Sequence, residues 1–369
     1  MTNPIDYWKF FSGDYASARD KFRHAAIEAK ARISQYVLPG IPGSRGESLS
    51  VDVAHIGRPN APRQLIAISG THGLEGAAGS AIQVATLATL SQRALKNDVS
   101  ILLIHALNPY GYSYDSRTTE NNVDLNRNFV DFSQPLPENA GYDALHSSLT
   151  PAQWTSATSR PSQEALKEYG RLHGESELFD VLARGQYTHP DGLIYGGRAR
   201  EWSNRTLERI LSEYSGHAER FALIDWHTGI GSYGEPFFLC FNDEGGEEER
   251  QASAWWGTEN IRGQRPHGLQ RPNYQGLVFR GVQQFVGNRP LAGAVIEFGT
   301  RGLHMRSALR LDRWLRFRRS GQPDAERDAM LRADLIDAFV PASSVWRNAV
   351  LKHGLRITEQ TIAGLAQWQ

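Results

Sequence analysis

Two short runs rich in aliphatic and β-branched residues, 64–69 and 99–106, flank a longer apolar stretch, 77–90, built largely of Ala, Leu and Ile. Their lengths and patterning predict strand, helix, strand. Two neighbouring parallel strands joined by a helix need a crossover, and such crossovers are right-handed, so this unit commits the chain to a sheet with a helix packed on its face. The rhythm resumes later, with 206–214 patterned as a helix and 221–226 and 293–298 as buried strands. The expected fold is therefore α/β, a mostly parallel or mixed central sheet flanked by helices. Ligands of such sheets gather beyond the carboxyl ends of the strands, which directs attention to residues 69–76, 227–231 and 297–300.

A length of 369 residues permits two or three domains or one large α/β domain. Hydrophobic residues at 40% and charged residues at 22% supply a core and argue against disorder. Forty basic side chains balance forty acidic ones, which gives no reason to expect nucleic acid or an anionic membrane as partner. The lone Cys240 excludes an internal disulfide and a cysteine-rich zinc site. The N-terminal stretch lacks the apolar core of a signal peptide and reads as an amphipathic helix over 15–33, and no run approaches a membrane span; a cytoplasmic location is expected. Residues 132–190 break the rhythm with Pro, Ser, Gln and Gly, so they read as a partly helical insertion over one end of the sheet, with the potential to act as a lid. Helical patterns return at 324–339 and 343–355. The expected division is a helical extension over 1–50, a central unit over 51–305 carrying the insertion, and a helical segment over 306–369 packed on the same unit.

The first strand runs into Ser69-Gly-Thr-His-Gly-Leu-Glu-Gly76, where His72 and Glu75 stand three residues apart at the start of a helix and can face one point. An imidazole and a carboxylate so placed suit a divalent zinc ion that still needs a third protein ligand. His227, at the end of the strand Phe-Ala-Leu-Ile-Asp-Trp-His, is the candidate, and the three leave a fourth position open, as catalytic zinc sites do. Glu297 closes a third strand and is placed to act as a general base. Two arginines lie in the turn-rich segment after strand 99–106: Arg127 has the fork to grip a carboxylate and Arg117 the charge to hold an oxyanion. Taken singly each has an ordinary reading, since short motifs arise by chance and a strand-end His or Glu often serves only a loop hydrogen bond.

Taken together and in order, the motifs resemble those of the zinc carboxypeptidases of the carboxypeptidase A type and their relatives, the aspartoacylases and succinylglutamate desuccinylases. His72-x-x-Glu75, Asp124-Leu-Asn126-Arg127-Asn128, His227 and Glu297 are similar to that family's metal-binding, substrate-binding and catalytic motifs, and Tyr195-Gly196-Gly197 with Ser203 resembles a further element. The likeness spans roughly 64–300 and is strongest to a branch known only as an uncharacterised bacterial domain. It implies the phosphorylase/hydrolase-like zinc carboxypeptidase fold, with one zinc per chain held by His72, Glu75 and His227. It further implies Glu297 as catalytic base, Arg117 at the oxyanion, and Asn126 and Arg127 on the substrate carboxylate, with Tyr274 as a mobile cap over the substrate. The activity implied is hydrolysis of an amide bond beside a free carboxylate in a small peptide, a metallocarboxypeptidase. An N-acyl-amino-acid deacylase and a non-catalytic ligand-binding member of the fold are the alternatives. The long insertion after Asn128 departs from the digestive enzymes and leaves substrate length open.

Rival motifs carry less. Gly229-Ile-Gly231-Ser-Tyr-Gly234 matches a dinucleotide-binding pattern, yet residues 235–241 read as extended chain rather than the helix that must receive a pyrophosphate. No Gly-x-Ser-x-Gly nucleophile elbow is present. Cys240 reads as a buried structural thiol, and the arginines at 306, 310, 313, 316, 318 and 319 as a solvated or salt-bridged helix face.

Overall fold

The computed structural model describes residues 6–92, 95–263, 265–302, 304–317 and 325–369, with the side chains of 304–306 outside that description. Among the described residues, β1 (Arg32–Pro42), β2 (Ser48–Ile56), β3 (Arg63–Ser69), β4 (Val99–His105), β5 (Arg220–Tyr233), β6 (Pro236–Leu239) and β7 (Leu291–Gly299) form one sheet. Their order is β1-β2-β4-β3-β5-β7-β6. The four inner strands β4, β3, β5 and β7 are parallel, and β2 and β6 pair antiparallel at the flanks. The expected α/β architecture with a mixed sheet is therefore what forms.

Alternation along each inner strand divides its side chains between two cores. Leu65, Ala67, Ile101, Leu103, Ala222 and Ile224 face one helical layer, containing Tyr15–Glu28, Gly76–Leu90 and Ser344–Leu365. Ile66, Ile68, Leu102, Ile104 and Leu223 face the other, containing Trp202–Tyr214 and Val278–Val286. The helix Gly76–Leu90 lies almost wholly buried. Gly79 lets it approach the sheet: a Cβ there would stand 2.7 Å from the Ser69 side chain and 2.9 Å from that of Trp226. From β3 the chain crosses to β4 on one side, and it later returns to β5 on the other. The reversal of chain order opens a crevice beyond the carboxyl ends of β3 and β5.

At the amino terminus the structure departs from the expected helical extension. The helix ends at Glu28 rather than 33, Lys30 turns the chain with φ +53°, and β1 begins at Arg32. Residues 1–50 are thus not a helical extension, because β1 and the start of β2 belong to the sheet. The physical reason lies in the partners: β2 buries Ser50 and Asp52, and Arg19 and Arg23 on the preceding helix bond the Asp52 carboxylate at 2.7 and 2.5 Å.

The insertion contains the helices Ala140–Leu149, Ser156–His173 and Glu175–Ala183 around a small core of its own. After Gly229 the chain continues as strand into β6, so the dinucleotide pattern is not followed by a helix. Cys240 is buried. The arginine patch is not uniformly solvated: Arg310 is buried beside the Trp154 ring, and Arg313 pairs with Asp191 at 2.7 Å. Arg318, Arg319 and the Arg306 side chain lie outside the described residues. No helix among the described residues is long and apolar enough to cross a membrane.

Candidate functional site

Three backbone segments converge at the crevice. After β3, His72 immediately precedes a short 3-10 helix, Gly73–Glu75, that Glu75 closes; β5 carries His227, and β7 carries Glu297 directly opposite His227 in the parallel register. The His72 and His227 Nδ1 atoms stand 3.1 Å apart. Glu75 reaches both, with Oε1 3.1 Å from His72 Nδ1 and Oε2 3.2 Å from His227 Nδ1. Ligand atoms around a tetrahedral zinc at about 2.0–2.1 Å lie roughly 3.3 Å from one another, so these spacings suit one ion.

The far nitrogens are also occupied. His72 Nε2 lies 2.9 Å from Asp124 Oδ1, and His227 Nε2 lies 2.9 Å from Asp225 Oδ2. A carboxylate behind each ring holds the proton on Nε2 and turns the Nδ1 lone pair toward the centre, the arrangement that metal-binding histidines favour. Asp225 is itself fixed by Thr71 Oγ1, which donates at 2.8 Å. Four carboxylates, Glu75, Asp124, Asp225 and Glu297, thus gather against Arg117 and Arg127, a charge balance that favours a cation. The donor set fits zinc.

The electrostatics arise from this crowding. Burial works against ionised Glu75, but His72, His227 and Arg117 outweigh it and hold the carboxyl well below its usual range. Asp124 is lowered in the same way, against burial, by Arg117, His72 and Arg127. Burial disfavours a charged His227, yet Asp225 and Glu75 raise its pKa well above that of free imidazole. Glu297 goes the other way: burial first, then the charge of Glu75, push it up to about 7. A bound divalent cation adds positive charge beside it and acts in the opposite sense.

Arg117 donates from Nη1 to Glu75 Oε1 at 2.7 Å and from Nε and Nη2 to Asp124 Oδ2 at 3.3 Å. Asp124 also caps the 3-10 turn Leu125–Arg127 by accepting from the Asn126 amide at 3.0 Å. This one carboxylate therefore ties a ring of the candidate metal centre to both arginine-bearing segments. Arg127 is anchored to the Ala183 carbonyl at 3.0 Å and the Asn126 carbonyl at 2.5 Å, and its guanidinium lies 5.1 Å from the centre of the Tyr274 ring. Tyr274 is half-buried against Phe241, and burial pushes its hydroxyl up to about 12. Asn126 Oδ1 accepts from the Val278 amide, which leaves its NH2 group to face the cavity. The Tyr195–Gly197 element packs on the same turn, the Tyr195 carbonyl accepting from Asp124 N at 2.8 Å and that of Gly196 from Asn128 Nδ2 at 2.8 Å.

His72, Arg117, Asn126, Arg127, Tyr274 and Glu297 line a single cavity of about 130 Å3. Glu75 and His227 meet His72 behind that lining. All eight residues singled out in the sequence thus come together. The remaining wall is largely apolar: Leu239, Phe241, Leu277 and Val295 from the sheet side, Phe179 and Leu182 from the insertion, and Ile194 and Leu309. The sequence reading missed Asp124 and Asp225 as partners of the histidines. Asp225 carried a usable signal, since two residues before His227 on a strand is the same face.

The family model described as "Protein of unknown function (DUF2817)" matches residues 11–353. No curated protein matches the chain. Among solved structures, the chain is similar to a metallo-carboxypeptidase from Pseudomonas aeruginosa in complex with (2-guanidinoethylmercapto)succinic acid, at 12% identity, TM-score 0.45, covering 94% of this chain and 68% of that one. It is similar to the carboxypeptidase A of Helicoverpa armigera at 12% identity, TM-score 0.43, covering 90% and 75%. It is also similar to the succinylglutamate desuccinylase of Chromobacterium violaceum at 16% identity, TM-score 0.37, covering 88% and 74%. The uncharacterised branch expected from the motifs corresponds to the family model.

Proposed function

The chain belongs to the DUF2817 family, and we propose that this member is a zinc-dependent hydrolase that cleaves an amide bond beside a free carboxylate, acting as a metallocarboxypeptidase. The observation that carries this reading is the convergence of His72 Nδ1, Glu75 and His227 Nδ1, each ring backed by its own carboxylate, in a cavity that also presents Glu297. His72, Glu75 and His227 would hold the ion. When bound, zinc supplies Lewis acidity, polarising a carbonyl and making water a competent nucleophile near neutral pH.

The remaining work falls to the chain's own side chains. Glu297 takes a proton from the attacking water and returns it to the departing nitrogen, so the amine leaves neutral and the new carboxyl keeps the oxygen. Arg117 holds the negative charge that develops on the carbonyl oxygen. Arg127 and the Asn126 NH2 group fix the carboxylate next to the scissile bond, with Tyr274 covering the guanidinium. A second reading, N-acyl-amino-acid deacylation, is the same reaction on a smaller substrate, and the small, partly apolar cavity favours it.

The test is metal analysis of the purified protein, joined to a screen of C-terminally free peptides and N-acyl amino acids. Stoichiometric zinc with hydrolysis of carboxylate-bearing substrates is the expected result. Zinc with no hydrolysis across the panel supports a ligand-binding role instead, and failure to bind zinc removes the proposal.

A further inference from the structure

We propose that Ile194 and Leu309 form a fixed stop on the acyl side of the cavity. They confine the site to substrates whose acyl portion is short, N-acetyl amino acids and dipeptides rather than longer peptides. This rests on the amide-hydrolase reading above.

Arg127, Tyr274 and the anchoring Ala183 mark where the substrate carboxylate is held in the proposed reaction. Arg117, Ile194 and Leu309 line the same cavity, and these three residues also wall a separate crevice of about 20 Å3 bounded by Gly192 and Asp312. They are therefore the partition between the two spaces. The crevice beyond is barely larger than a water molecule needs, so nothing longer passes behind the partition. Arg117 bonds Glu75 and so stands beside the proposed reacting carbonyl, which directs whatever lies beyond that carbonyl at this wall.

The wall is braced rather than loose. Leu309 sits on the helix His304–Phe317, whose Asp312 accepts from the Arg117 amide at 2.8 Å. Arg313 on that helix bonds the Asp191 side chain at 2.7 Å and its carbonyl at 2.6 Å. Asn122 donates to the Pro190 and Gly192 carbonyls at 2.8 and 3.0 Å. Ile194 holds φ at +48°, a conformation costly for a β-branched residue, which persists only where surroundings over-determine it. They do so here: Gln186 N donates to the Ile194 carbonyl at 3.1 Å, and the Leu193 amide donates to the buried Tyr142 hydroxyl at 2.6 Å. A strained backbone that aims an apolar side chain at a cavity wall is what a steric specificity element requires.

The experiment uses the zinc-loaded full chain with N-acetyl-, N-butanoyl- and N-octanoyl-leucine and a pentapeptide ending in leucine. In the wild type, kcat/KM should fall at least about tenfold from the acetyl to the octanoyl substrate, and Ile194→Gly and Leu309→Ala should each raise the octanoyl-to-acetyl ratio at least about tenfold. Glycine accepts the backbone conformation at 194, and Leu309→Ala carries the test where Ile194→Gly does not fold. Equal wild-type rates on all lengths, or folded variants that keep the wild-type ratio, overturn the stop. Calorimetric binding of N-alkyl leucines of the same lengths, with methylene in place of the carbonyl, reads the wall without turnover. A length cut-off in binding with no hydrolysis would remove the hydrolase reading alone, whereas length-independent binding would remove the stop.

Discussion

Removal of Asp225 tests whether the carboxylates behind the histidines build a metal centre or merely satisfy buried rings. Asp225 is fully buried, with Oδ2 2.9 Å from His227 Nε2 and Oδ1 accepting from Thr71. Among the described residues it is the partner that fixes the tautomer and orientation of the ring on that side. Partners of this kind contribute about 10- to 100-fold in metal affinity, or about 1.4–2.8 kcal/mol. Asp225→Ala removes both bonds and should lie near the upper figure. In Asp225→Asn the amide oxygen still accepts from His227 while its NH2 faces the Thr71 oxygen, so the loss should lie near the lower one. The pH dependence makes the test sharper. Asp225 raises the His227 pKa, so in the native protein a proton competes with zinc at neutral pH, and its removal relieves part of that competition. The deficit of the variant should therefore be smallest near neutral pH and grow as the pH is raised and the native ring also loses its proton. Zinc affinity measured by competition with a chromogenic chelator across that range, with circular dichroism to establish folding, reads the effect. A folded Asp225→Ala protein that binds zinc as tightly as the native one at the alkaline end of that range would refute the reasoning.

Glu297→Gln should retain zinc and lower kcat by about 10²- to 10⁴-fold; unchanged turnover would remove the general base. Because Glu297 must be ionised to accept a proton and its carboxyl is pushed up to about 7, activity should fall as pH drops through and below that region, with bound zinc moving the limb to lower pH. The same limb in the residual activity of Glu297→Gln would assign it to another group. Arg127→Ala should raise KM about tenfold or more for substrates with a free carboxylate, a loss of about 1.5–3 kcal/mol, and barely change it for amidated ones; equal losses on both would contradict the clamp. Gly276 holds φ at +64° and a Cβ there would collide with the Arg127 carbonyl, so Gly276→Ala should lower stability by about 1–3 kcal/mol and weaken carboxylate binding. An unchanged unfolding midpoint would show that the backbone yields there.

The inner strands were legible because their periodicity is local: Leu65 and Ile66 face opposite cores whatever lies next to them. The turn carrying His72 and Glu75, the Asp124–Asn128 motif and the strand-end residues His227 and Glu297 were legible for the same reason, since each is a short pattern with its own chemistry. β2 was not. Its Ser50 and Asp52 interrupt the apolar pattern, and they are buried because Arg19, Arg23 and the Ser50 hydroxyl bond the Asp52 carboxylate while Tyr15 bonds the Ser50 backbone.

Side-chain chemistry is thus written residue by residue along the chain: which segments alternate, which turn tightly, and which histidines, carboxylates and arginines are available to react. What the linear order leaves undetermined is adjacency. That β5 lies beside β3 rather than β4 brings His227 onto Glu75, and that the helix carrying Leu309 docks beside the loop carrying Ile194 builds one wall of the cavity. Those neighbours are selected by the burial of whole sheet and helix faces, a cooperative free energy that no short stretch of residues contains.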